Sequence, residues 1–204
     1  MKLYYMPGAC SLATHILLRE AGSPVELDKV GRDKKTESGA DFLALNPKGY
    51  VPALQLPDGD ILTENVVLHG YIADTFPAAK LAPAHGTKAR LKQDELAVYI
   101  STEIHKSYGP FFNPALTPEA RQAQIDKLVS RYALIEKLLA DGRTYLTGET
   151  FATVDAYLFT VTNWSNMLKI DLSAFPNVMA FQGRVAARPA VQAALVAEGL
   201  VKAA

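Results

Sequence analysis

The hydrophobic pattern changes period once along the chain, near Pro77. Before that point the apolar runs are short and separated by turn residues. Leu3, Tyr4 and Tyr5 form a brief strand-like run, Met6 to Ala9 turn, and Leu12, His15, Ile16, Leu17 and Leu18 then recur at helical spacing as far as Gly22. Val25 to Val30 alternates apolar with charged residues, which predicts a strand with one covered face. The polar stretch from Gly31 to Gly39 predicts a loop, and Phe42, Leu43 and Leu45 a single apolar turn before Asn46-Pro47-Lys48-Gly49. Tyr50 to Leu56 predicts a strand, and Pro52, lacking a ladder donor, belongs at its start. Pro57-Asp58-Gly59-Asp60 is a hairpin turn returning through Ile61 and Leu62. Val66, Val67, Leu68, Tyr71 and Ile72 then predict a helix ending near Phe76-Pro77.

After this β-α-β-α-β-β-α order, prolines and alanines between residues 78 and 86 mark a linker. From Thr87 onward the period stays near 3.6. Helices are expected at about Lys88–Tyr108, Pro118–Asp141, Val154–Leu168, Phe175–Ala187 and Pro189–Glu198. The expected architecture is α/β plus all-α: a small mixed domain over 1–77, a linker over 78–86 and a helical bundle over 87–204.

Composition narrows the partners. With 49% apolar residues and 21 acidic against 21 basic side chains, the chain suits a packed globule and offers no global field for nucleic acid or an anionic membrane. No apolar run approaches the roughly 20 residues that span a bilayer. The start does not resemble a signal peptide, and one cysteine excludes an intrachain disulfide and a thiol cluster, so a reducing cytoplasm is the expected compartment. His15, His69, His85 and His105 lack metal-ligand spacing with one another or with Cys10; no metal is expected.

Four places carry candidate chemistry. Cys10, with Tyr5 and Ser11 beside it, lies at a strand-to-helix junction, where free N–H groups and the helix dipole favour an anion and lower a thiol pKa. The same residues also fit a buried small cysteine, an ordinary strand tyrosine and a helix-start hydroxyl. Val51 precedes Pro52, so its backbone groups are left for an extended peptide to pair with, unless the proline merely marks a sheet edge. Glu64 and Asn65 open a helix: the carboxylate suits an amine and the neighbouring amides a carboxylate, although a plain cap accounts for them as well. Glu103, His105 and Lys106 share a helix on which His105 suits proton transfer and Lys106 a carboxylate, if they are more than a solvated face.

Taken in order, Lys2-Leu3-Tyr4-Tyr5 with Pro7 to Leu12, Asn46 to Gly49 with Val51-Pro52, Leu62 to Glu64, Glu103 with His105-Lys106, Asp155 to Phe159, Arg188-Pro189 and Ala197 to Leu200 resemble the glutathione S-transferases, most closely the bacterial beta class. The resemblance runs nearly end to end. It implies a thioredoxin-like first domain, a helical-bundle second domain, a homodimer, and glutathione as co-substrate. By that analogy the Val51–Pro52 bond is cis, Val51 pairs with the cysteinyl backbone, Glu64 and the Asn65 amide take the γ-glutamyl end, and Lys34 meets the glycyl carboxylate. Cys10 would form a mixed disulfide with the glutathione sulfur and His105 would project toward it, while Thr102 and Glu103 would reach the ligand across the dimer. The implied binding set is Ala9, Cys10, Lys34, Tyr50, Val51, Pro52, Glu64, Asn65, Thr102, Glu103, His105 and Lys106; the catalytic set is Cys10, His105, Tyr5 and Ser11.

Three positions depart from the family. Tyr50 replaces a usual glutamine, Val98 a common asparagine that reaches the partner subunit, and Ala152 a helix-capping Ser or Thr three residues before Asp155. The expected function is a transferase that activates the glutathione thiol for attack on apolar electrophiles, with thiol–disulfide exchange through Cys10 as a second activity. An electrophile pocket between the domains is expected from Tyr108, Phe111, Tyr157, Trp164 and Met167, residues that equally fit a helical core. The rival is a glutathione-binding protein of the same fold that has lost turnover, which Tyr50 and Val98 encourage.

Overall fold

A computed structural model describes residues 1–202. The chain divides into two compact units, one formed by Met1–Ala82 with Ala187–Ala204 and the other by Pro83–Ala186.

The first unit is built on a four-stranded sheet in the order β2-β1-β3-β4. Strand β1 (Lys2–Tyr5) pairs parallel with β2 (Glu26–Lys29) and antiparallel with β3 (Ala53–Gln55), which pairs antiparallel with β4 (Ile61–Thr63). Central β1 is covered on both faces, so Leu3, Tyr4 and Tyr5 are all buried and the sequence shows a run rather than alternation. Tyr4 joins Val30, Phe42 and Ala53 in a core cluster under the short helix α2 (Phe42–Leu45). Tyr5, one step along, turns its ring to His15 of α1 (Ser11–Glu20). Helix α3 (Asn65–Thr75) packs beside α1.

The C-terminal helix, expected to close the bundle, instead belongs to this first unit. Buried polar bonds hold it there: Glu198, just beyond it, accepts from the Gly8 amide at 2.9 Å and lies 2.9 Å from His15 Nδ1, both side chains being fully buried. Arg188 donates to Glu20 at 2.6 Å.

The second unit comprises α4 (Lys88–Tyr99), a π-helical segment Ile100–His105, α5 (Lys106–Tyr108), a 3-10 turn Gly109–Phe112, α6 (Pro118–Leu139), α7 (Thr153–Thr162), α8 (Trp164–Leu168) and α9 (Pro176–Ala186). Helix α10 (Pro189–Ala197) completes the first unit. Thr117 caps α6 by accepting from the Ala120 amide, with Pro118 in the first turn. Every side chain of α7 is buried, so its sequence shows no polar stripe. No helix among the described residues is long and apolar enough to cross a membrane.

Candidate functional site

Four segments of the first unit make up the candidate site: those of Val51 and Asn65 bond Cys10, and the loop after β2 joins them through Gly49. The turn after β1 folds back through an Ala9 N–H bond to the Met6 carbonyl, and Gly8 takes the left-handed φ of +70° that this turn requires. Ser11 fastens the helix start to the strand end. Its hydroxyl donates to the Met6 carbonyl and accepts from the Met6 amide, both at 3.2 Å, and its side chain is fully buried. Ser11, expected among the catalytic residues, is thereby engaged as a clamp. Tyr5 departs from expectation likewise: it is buried against His15, and burial, with the charges of Glu198, Glu37 and Asp28, holds its phenol protonated.

Cys10 itself corrects the expected pKa. Its thiol donates to the Val51 carbonyl at 3.3 Å. Burial pushes the thiol up to about 11, and although the Asn65 amide and the Cys10 and Ser11 backbone amides oppose the shift, they do not overcome it. At neutral pH the unliganded side chain is a protonated donor rather than a standing thiolate.

The second segment is Asn46–Pro52. Asn46 bridges its turn, donating to the Tyr50 carbonyl at 2.8 Å and accepting from the Lys48 amide. The Val51–Pro52 peptide is cis. Tyr50, between this bond and Gly49, is 76% exposed. The third segment is the loop after β2, where Lys34 sits at φ +63° and donates to the Gly49 carbonyl at 2.7 Å.

The fourth is the start of α3. Glu64 holds φ +70° with ψ +116°, a costly conformation for a residue with a Cβ. Its carboxylate takes the Lys48 ammonium at 2.9 Å, and the same ammonium donates to Thr63 at 2.8 Å. Asn65 is buried, donating to the Cys10 carbonyl at 3.2 Å while accepting from Thr14 at 2.9 Å. The first-turn N–H groups of α3 have no intrahelical acceptor, so this end suits an anion.

The remaining candidates lie in the second unit, on the π segment expected as ordinary helix and, for Lys106, at the start of α5 just after it. There the Lys106 amide reaches back five residues to the Ser101 carbonyl. Thr102 donates to the Val98 carbonyl at 3.0 Å and Ser107 to the Glu103 carbonyl at 2.5 Å, hydroxyls serving carbonyls along the widened turn. Glu103 pairs with Arg131 at 2.8 Å. His105 Nδ1 lies 2.8 Å from the Tyr157 hydroxyl, and its ring packs edge-on against Tyr157 and Trp164. Burial, with the Lys106 charge adding, lowers the His105 pKa to about 4, so the imidazole is neutral at pH 7.

The aromatic candidates divide. Tyr108 and Tyr157 are core residues at 0% and 1% exposure, and Tyr108 bonds Tyr132 and Ser165; Met167 is 64% exposed. Phe111, Phe112 and Trp164 form the aromatic edge around them. Sequence reasoning missed Lys48, whose pairing with Glu64 crosses fifteen and more residues, and the role of Tyr157 toward His105; neither contact has a spacing signal. No group of three or more potential metal ligands occurs among the described residues.

The sequence matches the glutathione S-transferase N-terminal domain over residues 8–75 and the C-terminal domain over 99–189. It is 43% identical to glutathione S-transferase GstA of Escherichia coli O157:H7, with 98% of this chain and 100% of that protein covered. Among solved structures it is similar to a sphingomonad glutathione S-transferase complexed with glutathione, at 45% identity and a TM-score of 0.94, covering 98% of this chain and 100% of that one. A bacterial beta-class glutathione S-transferase of Sphingomonas chungbukensis agrees at 44% identity, a TM-score of 0.94 and the same coverage. With its thioredoxin-like first unit, its helical second unit and relatives matched end to end, the chain belongs to the glutathione S-transferases, transferases that conjugate glutathione, and among them to the bacterial beta class.

Proposed function

We propose that the four segments of the candidate site hold glutathione as an extended peptide whose sulfur lies beside the Cys10 thiol. The observation that carries this is the 3.3 Å bond from Cys10 to the Val51 carbonyl, because it sets the thiol next to the backbone that an added strand would pair with. Glu64 receives the γ-glutamyl ammonium, the free amides of α3 its carboxylate, and Lys34 the glycyl carboxylate. Ala9, Tyr50 and Pro52 border the peptide. A sphingomonad relative solved with glutathione supports glutathione as the ligand.

Cys10, protonated when unliganded, donates to the incoming sulfur and stabilises it as the thiolate that attacks an apolar electrophile. His105, neutral at physiological pH, serves as a second hydrogen-bond donor to that sulfur, with Lys106 beside it suited to a ligand carboxylate, while Thr102 and Glu103 reach a ligand across the dimer. In exchange, the Cys10 thiol gives up its proton to solvent and attacks one sulfur of a glutathione mixed disulfide. A new S–S bond forms, the old one breaks, and the departing thiolate takes up a proton. A homodimer is part of the proposal, supported by exposed Leu91 and Val98 on one face of α4 and Leu134 on α6. So is a reducing cytoplasm, consistent with a single free cysteine.

The test pairs titration calorimetry of glutathione and a desamino analogue with turnover on a chloronitrobenzene and on a glutathione mixed disulfide. Glutathione should bind, the analogue should bind at least tenfold more weakly, on the order of one lost charge-assisted contact, and Cys10→Ala should abolish exchange. Equal binding of both ligands would remove the Glu64 assignment, and no binding would remove the site.

A further inference from the structure

Among the groups that touch the candidate residues, Tyr157 has the most constrained position. Its ring is 1% exposed on the fully buried helix α7, and its hydroxyl meets His105 Nδ1 at 2.8 Å. The two rings stand at 84° with centroids 5.8 Å apart, and Trp164 closes another side of the imidazole at 5.0 Å and 68°. Between two aromatic walls, with Nδ1 engaged, the imidazole has little freedom to flip.

We infer that Tyr157 is a positioning residue that fixes the tautomer of His105, its hydroxyl donating to Nδ1 so that the ring proton resides on Nε2. A phenol is a strong neutral donor and a weak acceptor, whereas an unprotonated imidazole nitrogen is a strong acceptor. The O–H to Nδ1 arrangement is therefore the better of the two across this contact. The second nitrogen is then a permanent N–H donor, the form needed to stabilise a sulfur anion without transferring a proton to it. Burial of the imidazole supports the same state, because it removes the doubly protonated ring at neutral pH. The π segment contributes too: the extra residue in its turn rotates His105 relative to a regular helix, and Thr102 and Ser107 hydroxyls brace the widened backbone on either side.

The catalytic consequence rests on the proposal that His105 serves the glutathione sulfur; the tautomer itself does not. The experiment therefore has two arms. Nitrogen-15 NMR of histidine-labelled protein, with the His105 signals assigned by their loss in His105→Asn, should show a pyridine-type Nδ1 and a pyrrole-type Nε2. In Tyr157→Phe the two tautomers should mix. A wild-type spectrum with the proton on Nδ1, or with both tautomers averaged, overturns the inference. In the second arm, conjugation of glutathione to a chloronitrobenzene should fall about tenfold in kcat in Tyr157→Phe while KM for glutathione holds, the size expected for one lost orienting hydrogen bond. Unchanged kcat together with an unchanged spectrum overturns the inference. If His105→Asn keeps wild-type kcat, the assignment of His105 to the sulfur fails, and the spectra still decide the role of Tyr157.

Discussion

Cys10 shows how a local rule yields to burial. A helix start favours a thiolate, but the packing around the sulfur of this part-buried residue works the other way and prevails, pushing the thiol up to about 11. Alkylation by iodoacetamide should consequently be slow at pH 7 and accelerate about tenfold per pH unit through the mildly alkaline range, as thiolate accumulates below that pKa. A plateau reached near pH 8 would contradict the burial. Glu64 carries a different cost, since its positive φ takes about 1–3 kcal/mol from stability. Glu64→Gly should raise the unfolding free energy by about 1 kcal/mol, with the exposed Lys48 pair contributing little, while calorimetry should show weakened glutathione binding. Cys10, Val51 and Glu64 stand out in the sequence because each sits at a break in pattern. The side-chain partner of Ser11 does not, because one step on the first turn of a helix decides whether a hydroxyl faces a ligand or the preceding strand.

At the scale of elements, α7 tests the departure at Ala152. Half of a capping box survives: Asp155 accepts from the Ala152 amide at 2.7 Å and also from the Leu146 amide at 2.9 Å, while Thr153 is taken by Gln93 at 2.8 Å. Both Asp155 bonds are buried, so Asp155→Ala should destabilise by about 2–4 kcal/mol in urea unfolding, two backbone donors being orphaned. Ala152→Ser should recover about 1 kcal/mol by supplying the missing acceptor. Element types and order were readable from period and turn residues, including the hairpin at Asp58-Gly59. The π segment was not, because one extra residue in a continuous helical pattern leaves the apolar repeat intact and no Gly or Pro marks it. The break between α7 and α8 at Asn163 is silent for the same reason.

For the molecule as a whole, stability should depend on two histidines. Burial lowers His69 to about 3 and, with Lys106 adding, His105 to about 4. Both are depressed below the ordinary value near 6.5, so their contribution is complete above that pH and is lost as pH falls toward the folded-state values. The unfolded chain takes up protons that the folded chain refuses. His69 alone should cost about 2 kcal/mol between pH 6.5 and 5. Proton uptake on unfolding, measured calorimetrically at pH 5, should approach two from this pair, and a value near zero would refute it. The grouping of α10 with the first unit lay outside any sequence window, since long-range contacts create it: the packing of α10 on α1, the bonds of Glu198 to Gly8 and His15, and the Arg188–Glu20 pair.

Those bonds have a consequence for synthesis. The turn that presents the thiol is held by a carboxylate translated some 190 positions after it, whereas the intervening helical unit contains its own partners. On the ribosome, the second unit is therefore free to finish before the turn made ahead of it acquires its final form.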